Sequence, residues 1–202
     1  GNGSLKWRYN FHEKHTMELA AGYDMYRYAT YDKYNPVNSY EMTFNIQQVY
    51  SKLKFKSLLG KDHTLIYGVD AIGYDLSPGS FLPYGEESLV VADVLPKERA
   101  IEASAYLSHS WNVSERFFMD YGLRYSLFNT NGKRYHYPEI RVSGRVMITD
   151  NISFKAGFNS LTQYIHMLSN TTTMSPTDIW KLSDKDIKPQ EGWQAAGGFY
   201  TN

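Results

Sequence analysis

The chain has 202 residues with 21 basic and 21 acidic side chains, so its formal net charge is zero and it lacks the clustered Lys/Arg excess of a nucleic-acid-binding surface. Cysteine is absent, which excludes disulfides and thiolate metal sites, and the run of about 18 apolar residues needed for a transmembrane helix does not occur. The aromatic share is high, 16% with 18 Tyr, against an apolar fraction of only 42%, a composition that suits strands.

Period-two runs bounded by turn residues predict nine strands, at 4–11, 16–28, 39–59, 63–75, 99–111, 116–128, 134–149, 152–166 and 191–200. In the first, Leu5, Trp7, Tyr9 and Phe11 alternate with Lys6, Arg8 and Asn10. In the third, Val49, Leu53 and Phe55 oppose Lys52, Lys54 and Lys56. The fifth sets Ile101, Ala103, Ala105 and Leu107 against Glu102, Ser104, Tyr106 and Ser108. The sixth, FFMDYGLRYSLF, sets Phe117, Met119, Tyr121, Leu123, Tyr125 and Leu127 against positions that include Asp120, Gly122, Arg124 and Ser126. The seventh opposes Ile140, Val142, Val146 and Ile148 to Glu139, Arg141, Ser143 and Arg145. The eighth opposes Ile152, Phe154, Ala156 and Phe158 to Ser153, Lys155, Gly157 and Asn159. One face of strand after strand is therefore almost free of charge.

Connections alternate in length. His12–His15, Gly60–Asp62, Asn112–Glu115 and Asp150–Asn151 are short; Ala29–Asn38, Leu76–Glu98 and Ser169–Gln190 are long, with Thr130–Lys133 the exception. Asn131-Gly132 in that exception reads as a type I′ hairpin turn. An up-and-down meander with short turns at one end and long loops at the other is the layout of an outer-membrane barrel. Ten to thirteen residues at about 3.3 Å each, tilted about 40°, reach roughly 25–33 Å vertically, a bilayer's hydrocarbon thickness. The apolar face then looks at lipid, and Asp120, Arg124, Arg141, Arg145 and Lys155 look into a polar lumen. Asp120 and Arg124 lie too far apart on one strand to pair, so each is expected to find a cross-strand partner such as Glu102, Arg141 or Arg145. Tyr26, Tyr28, Tyr67, Trp111, Tyr125 and Tyr164, near strand ends, are expected in interfacial girdles.

Nothing in the sequence asks for catalysis, a metal or a cofactor. The six histidines are dispersed, and His12-Glu13-Lys14-His15 is one residue short of the metalloprotease helix H-E-x-x-H and lies in a turn. The long loops are where a barrel would recognise a ligand, and Phe81, Tyr84, Trp180 and Asp184 are the contact candidates there.

The segments 81–91, 95–128 and 159–200 resemble the barrel of Bacteroidota-type TonB-dependent outer-membrane receptors. The resemblance rests on the G-x-R-Y core Gly122-Leu123-Arg124-Tyr125 and on the I-x-P-Q-x-G element Ile187-Lys188-Pro189-Gln190-Glu191-Gly192. It implies nutrient import through a plugged barrel of about 22 strands. It also implies residence in the outer membrane, with membrane lipid, the inner-membrane TonB complex and a nutrient ligand as partners. Against that whole, residues 1–202 are expected to form a single partial barrel region without the plug, the TonB-contact segment or the terminal aromatic strand. Two other readings compete: a complete eight-stranded outer-membrane barrel with a structural or adhesive role, and a soluble β-barrel or sandwich with its polarity reversed.

Overall fold

A computed structural model describes residues 1–130, 132–168 and 179–201. Its strands are β1 (Asn2–His12), β2 (His15–Asp32), β3 (Tyr40–Leu59), β4 (His63–Pro83), β5 (Asp93–Val94), β6 (Glu98–Ser114), β7 (Phe117–Thr130), β8 (Lys133–Met147), β9 (Ile152–Gln163), β10 (Ile165–Leu168), β11 (Ile179–Leu182) and β12 (Gln190–Thr201). Nine of them form one antiparallel meander in the order β1-β2-β3-β4-β6-β7-β8-β9-β12, each pairing with the next. The two-residue β5 adds to β4, and β10 and β11 form a separate hairpin. Among the described residues β1 and β12 do not pair with each other, so the sheet is an open arc and not a closed eight-stranded barrel.

The nine predicted strands are thus the nine strands of the main sheet, and the largest differences lie at the long-loop end. β2 runs on through Asp32, and β4 runs on through Pro83, so residues 76–83, expected in a loop, continue a strand of 21 residues. Pro78 and Gly79 look like turn residues, but the pairing steps from Asn45↔Ser77 to Thr43↔Ser80. One extra residue on β4 is absorbed there as a bulge, where a proline costs no ladder hydrogen bond. Phe81 accordingly sits on β4 with its ring 4.7 Å from that of Tyr40, and is not a loop residue.

Register assigns the two faces. Residues directly opposite in neighbouring strands share a face, and the row Glu18↔Lys54↔Gly68↔Tyr106↔Arg124↔Glu139 runs across six strands. The opposite face carries Leu123, Tyr125, Leu127, Ile101, Val69 and Val142, all exposed; Leu123 keeps 53% of its surface and Ile101 60%. On the charged face Ser126 and Phe128 are at 1% and 0%. The sheet therefore curls around its polar side, with the apolar side on the convex exterior. This polarity is the inverse of a water-soluble sheet, whose apolar face is the buried one.

The girdle expectation divides along the same line. Tyr67, Trp111 and Tyr125 are exposed on the outer face. Tyr26 and Tyr28 pair with Ile46 and Phe44 on the inner side, and Tyr164 is buried against Phe128. Proximity to a strand end sets height and leaves the face to parity. The sequence-dispersed histidines partly converge on the outer face, where His63 Nδ1 lies 3.1 Å from His109 Nε2 and the His63 ring stacks on Trp111 at 5.4 Å.

Two inner-face glycines are required by close approach. A Cβ on Gly68 would run into the Leu53 carbonyl oxygen and the Tyr106 hydroxyl, and one on Gly22 would lie 2.5 Å from the Tyr50 ring. Tyrosines thus lie over glycines on neighbouring strands. Gly68→Val should lower unfolding stability in detergent by about 1–3 kcal/mol through overpacking. Gly3→Val, where nothing lies within 4 Å, should stay within about 0.5 kcal/mol of the parent. Urea titration monitored by strand circular dichroism checks both.

Candidate functional site

The inner face is where the sequence concentrates chemistry, and it divides into three levels. At the long-loop end, Phe44, Leu76, Ala100, Phe128 and Tyr135 form a buried apolar cluster with Tyr164 and Leu182 from the connection between β9 and β12. Phe128 and Tyr164 stack with centroids 4.6 Å apart and planes 5° from parallel. The β10–β11 hairpin belongs to this connection and folds back over the arc to reach β4 and β6.

One carboxylate anchors that hairpin. Glu98, the first residue of β6, accepts from Lys181 Nζ at 2.7 Å through one oxygen and from the Leu182 backbone N–H at 2.9 Å through the other. Lys181 also lies 2.8 Å from Asp184 Oδ2, and the Tyr135 hydroxyl donates to the Asp184 carbonyl at 2.5 Å. Leu182 is 1% exposed, a burial worth about 1.5–3 kcal/mol.

Two of the loop candidates therefore act in this anchor. Trp180 lies on β11, half-buried against the apolar cluster. Asp184 closes a turn by accepting the N–H groups of Asp186 and Ile187, each at 2.8 Å. Tyr84, just past β4, is the more open member; its ring meets Tyr31 edge-on, and Lys33 Nζ lies 4.4 Å from its centroid. The structure brings Phe81 and Tyr84 to the end of the β2–β4 ribbon, and Trp180 and Asp184 to the hairpin over β4 and β6. Residues 169–178 of the last long loop, and Asn131 of the Asn131-Gly132 turn, lie outside the described residues; Gly132 has φ +86°.

The anchor has a pH window. Burial by itself would raise the Asp184 carboxyl, but the Lys181 ammonium and the Ile187 and Asp186 N–H groups override it and hold it down at about 2. Lys181 is opposed by burial and raised on balance by Asp184 and Glu98. The depressed carboxyl contributes stability that is complete above its ordinary value near 3.8 and lost as pH falls toward about 2. The raised lysine contributes stability present below about 10.5 and lost above it. His166, opposite Lys181 on β10, is held below its ordinary value near 6.5 by burial, so Trp180 fluorescence should be flat between about pH 7 and 10 and change on either side, and Lys181→Met should shrink the acid step that Asp184 contributes, since the Ile187 and Asp186 N–H groups remain.

The middle level is an ion cluster around Arg124. Its Nη1 lies 2.7 Å from Asp70 on β4, and its Nη2 and Nε lie 3.6 Å from Glu102 on β6 and Glu139 on β8. The Tyr74 hydroxyl donates to Glu102 at 3.0 Å, and Glu139 accepts the Thr162 N–H at 2.7 Å. Glu102 is among the partners the sequence suggested; Asp70 and Glu139 were not, although their period-two positions on neighbouring strands carried the signal. Among the described residues Asp120 pairs with no arginine, and it accepts from the Ser110 hydroxyl at 2.5 Å.

The lowest level, toward the short turns, holds Arg141, Arg145 and Lys155. Arg145 stands directly opposite Lys155, and Arg141 opposite Asn159, on the same side as Asp120 opposite Ser143. The three levels bind and line. The charged side chains of the two lower levels share one face of the sheet, an arrangement that suits passage or capture of a solute along a polar wall.

Solved structures share this architecture. The whole chain superposes on the copper transporter OprC with a TM-score of 0.73 at 15% identity, covering 36% of that chain. BauA, the ferric preacinetobactin receptor from Acinetobacter baumannii, matches with a TM-score of 0.65 at 13% identity, 100% of this chain covering 35% of that one. The ferric yersiniabactin uptake receptor FyuA from Yersinia pestis matches with 0.67 at 13%, 100% covering 33%. The chain thus spans about a third of the length of these structures, and at these identities the likeness is one of fold: an all-β meander matching the barrel portion of TonB-dependent receptors. No family model matches the chain, and no curated protein does.

Proposed function

We propose that residues 1–202 are a barrel segment of a TonB-dependent outer-membrane transporter for nutrient uptake, of the Bacteroidota type that the I-x-P-Q-x-G element suggests, with no catalytic role of its own. The observation that carries this reading is the inverted polarity of an open nine-strand arc: apolar outside, charged inside, with edges at β1 and β12 for further strands. The superposition on a third of several metal and ferric-chelate receptors supports it. The plug and the TonB-contacting segment belong to the remainder of the longer polypeptide. Asp120, Arg124, Arg141, Arg145 and Lys155 line the lumen wall. Phe81, Tyr84, Trp180 and Asp184 border the mouth, with Tyr84 as the most accessible ligand contact. The partners are outer-membrane lipid, the inner-membrane TonB complex and a scarce nutrient.

The absence of cysteine makes the topology directly testable. Single cysteines at Leu107 and Leu123 should resist a water-soluble maleimide in outer-membrane vesicles, whereas cysteines at the inner-face positions Lys52 and Gln48 should become reactive once the lumen is opened to the reagent. Free labelling of Leu107 and Leu123 in a detergent-free monomer would reverse the reading in favour of a soluble fold. Transport is tested separately, by accumulation of copper and a panel of ferric chelates in cells producing the longer polypeptide, with and without the proton-motive force. Correct insertion with no energy-dependent accumulation would rule out copper and these ferric chelates as the nutrient.

A further inference from the structure

The lowest level of the inner face has an electrostatic defect. Arg145 and Lys155 are direct cross-strand neighbours, an arrangement in which like charges repel and destabilise the sheet. Arg141 adds a third cation on the same face. Two other charged clusters of the sheet are compensated: Arg8 and Lys6 share Glu18, and Arg124 has its three carboxylates. Among the described residues no carboxylate lies within 4.0 Å of Arg141, Arg145 or Lys155. The one acid nearby in register, Asp120, faces Ser143 and is held by Ser110.

Arg145 and Lys155 border a cavity of about 610 Å³. Its inner-face floor is Ser143, Gly157, Ala196 and Gly198, so nothing larger than a hydroxymethyl group fills the space between the charged ends. Phe118 on β7 and Tyr200 on β12 bound it, three strand spacings or about 14 Å apart. The Tyr200 ring lies 4.5 Å from Lys155 Nζ and fixes that ammonium at the rim. A guanidinium fork and a positioned ammonium facing one small cavity match an oxyanion.

We propose that the Arg145–Lys155 cavity binds a small, multiply charged anion of the carboxylate or phosphate class, with Arg141 as the outlying third cation. The bound anion relieves the like-charge pair and replaces the missing acid. The site's place on a transport route rests on the proposed barrel; its anion affinity does not. Along that route an anionic solute would meet the site below the Arg124 cluster, on the short-turn side, making Arg145 and Lys155 specificity-determining residues.

Isothermal titration of the 202-residue chain with citrate and, separately, with inorganic phosphate tests the site. The chain is first folded in whichever of detergent, liposomes or water yields its strand spectrum. Saturable binding of either anion is expected, weakening at least tenfold between 50 mM and 500 mM NaCl and at least tenfold in Arg145→Gln/Lys155→Gln. A Lys14→Gln/Lys61→Gln control at the short turns should bind as the parent does. The proposal is overturned if neither anion binds, if the double variant binds unchanged, or if an Asp/Glu-rich peptide binds where citrate and phosphate do not. Folding in water alone would sink the barrel reading and leave the citrate and phosphate results standing.

Discussion

Leu123→Arg should block stable insertion of the sheet into a bilayer, at a cost of about 2–4 kcal/mol. Leu123 sits at the middle of β7 on the convex face, between Leu107 on β6 and Ile140 on β8, and all three are exposed. An arginine there has no water at its own height and no acid to pair with. The same substitution on the inner face meets the opposite environment: Gln48 lies opposite Asp24 and Tyr74. Gln48→Arg should change stability by no more than about 0.5 kcal/mol. The pair is read as the fraction of chain folded into liposomes across a urea series. Equal costs at the two positions would mean the two faces share one solvent. A larger cost for Gln48→Arg would mean that the sheet is packed the other way round.

That the faces could be told apart before any coordinates follows from a property of strands. Side chains alternate strictly, so a single charge-free parity repeated along Leu5–Phe11, Ile101–Leu107, Phe117–Leu127 and Ile152–Phe158 fixes a face even when strand ends are misplaced by several residues. The connections were legible for the same reason, since short turns announce themselves through Gly60 and the Asn and Asp residues at 112 and 150. Height along the strand was not legible at the long-loop end. Pro78 and Gly79 carry the composition of a turn, and only the partner strand's register reveals that they form a bulge in a strand that continues to Pro83.

The site was half legible. Arg124 was placed on the polar face with an acidic partner to find, and Glu102 was among those suggested. Asp70 lies two strands away from Arg124, across β6, and becomes a partner only because the sheet curls. Curvature is a collective property that no single strand encodes. The hairpin anchor was missed because Lys181 and Glu98 are 83 residues apart and neither has a periodic signature. Trp180 and Asp184 stand out in the sequence as an aromatic and an acid in an otherwise polar loop, and the same chemistry lets Trp180 pack on the apolar cluster and Asp184 close its turn.

Curvature is also what makes Arg124 the residue whose loss should cost most inside the arc. Asp70, Glu102 and Glu139 keep only 11%, 12% and 16% of their side-chain surface, and the guanidinium is the cation they share. Arg124→Met keeps the stem and removes the charge, leaving three carboxylates of one sign in a partly desolvated space. Removing one member of such a cluster typically costs about 3–5 kcal/mol, most of it from the charges left unpaired. The loss should therefore shrink when the acids are neutralised as well: Arg124→Met with Asp70→Asn and Glu102→Gln should recover half or more of the stability that Arg124→Met alone gives up. Urea unfolding of the parent, Arg124→Met, Asp70→Asn/Glu102→Gln and the triple variant in detergent at pH 7 measures the coupling. A triple variant no more stable than Arg124→Met would show that the guanidinium acts through packing of its stem, and the cluster would then have no electrostatic part in holding the curve.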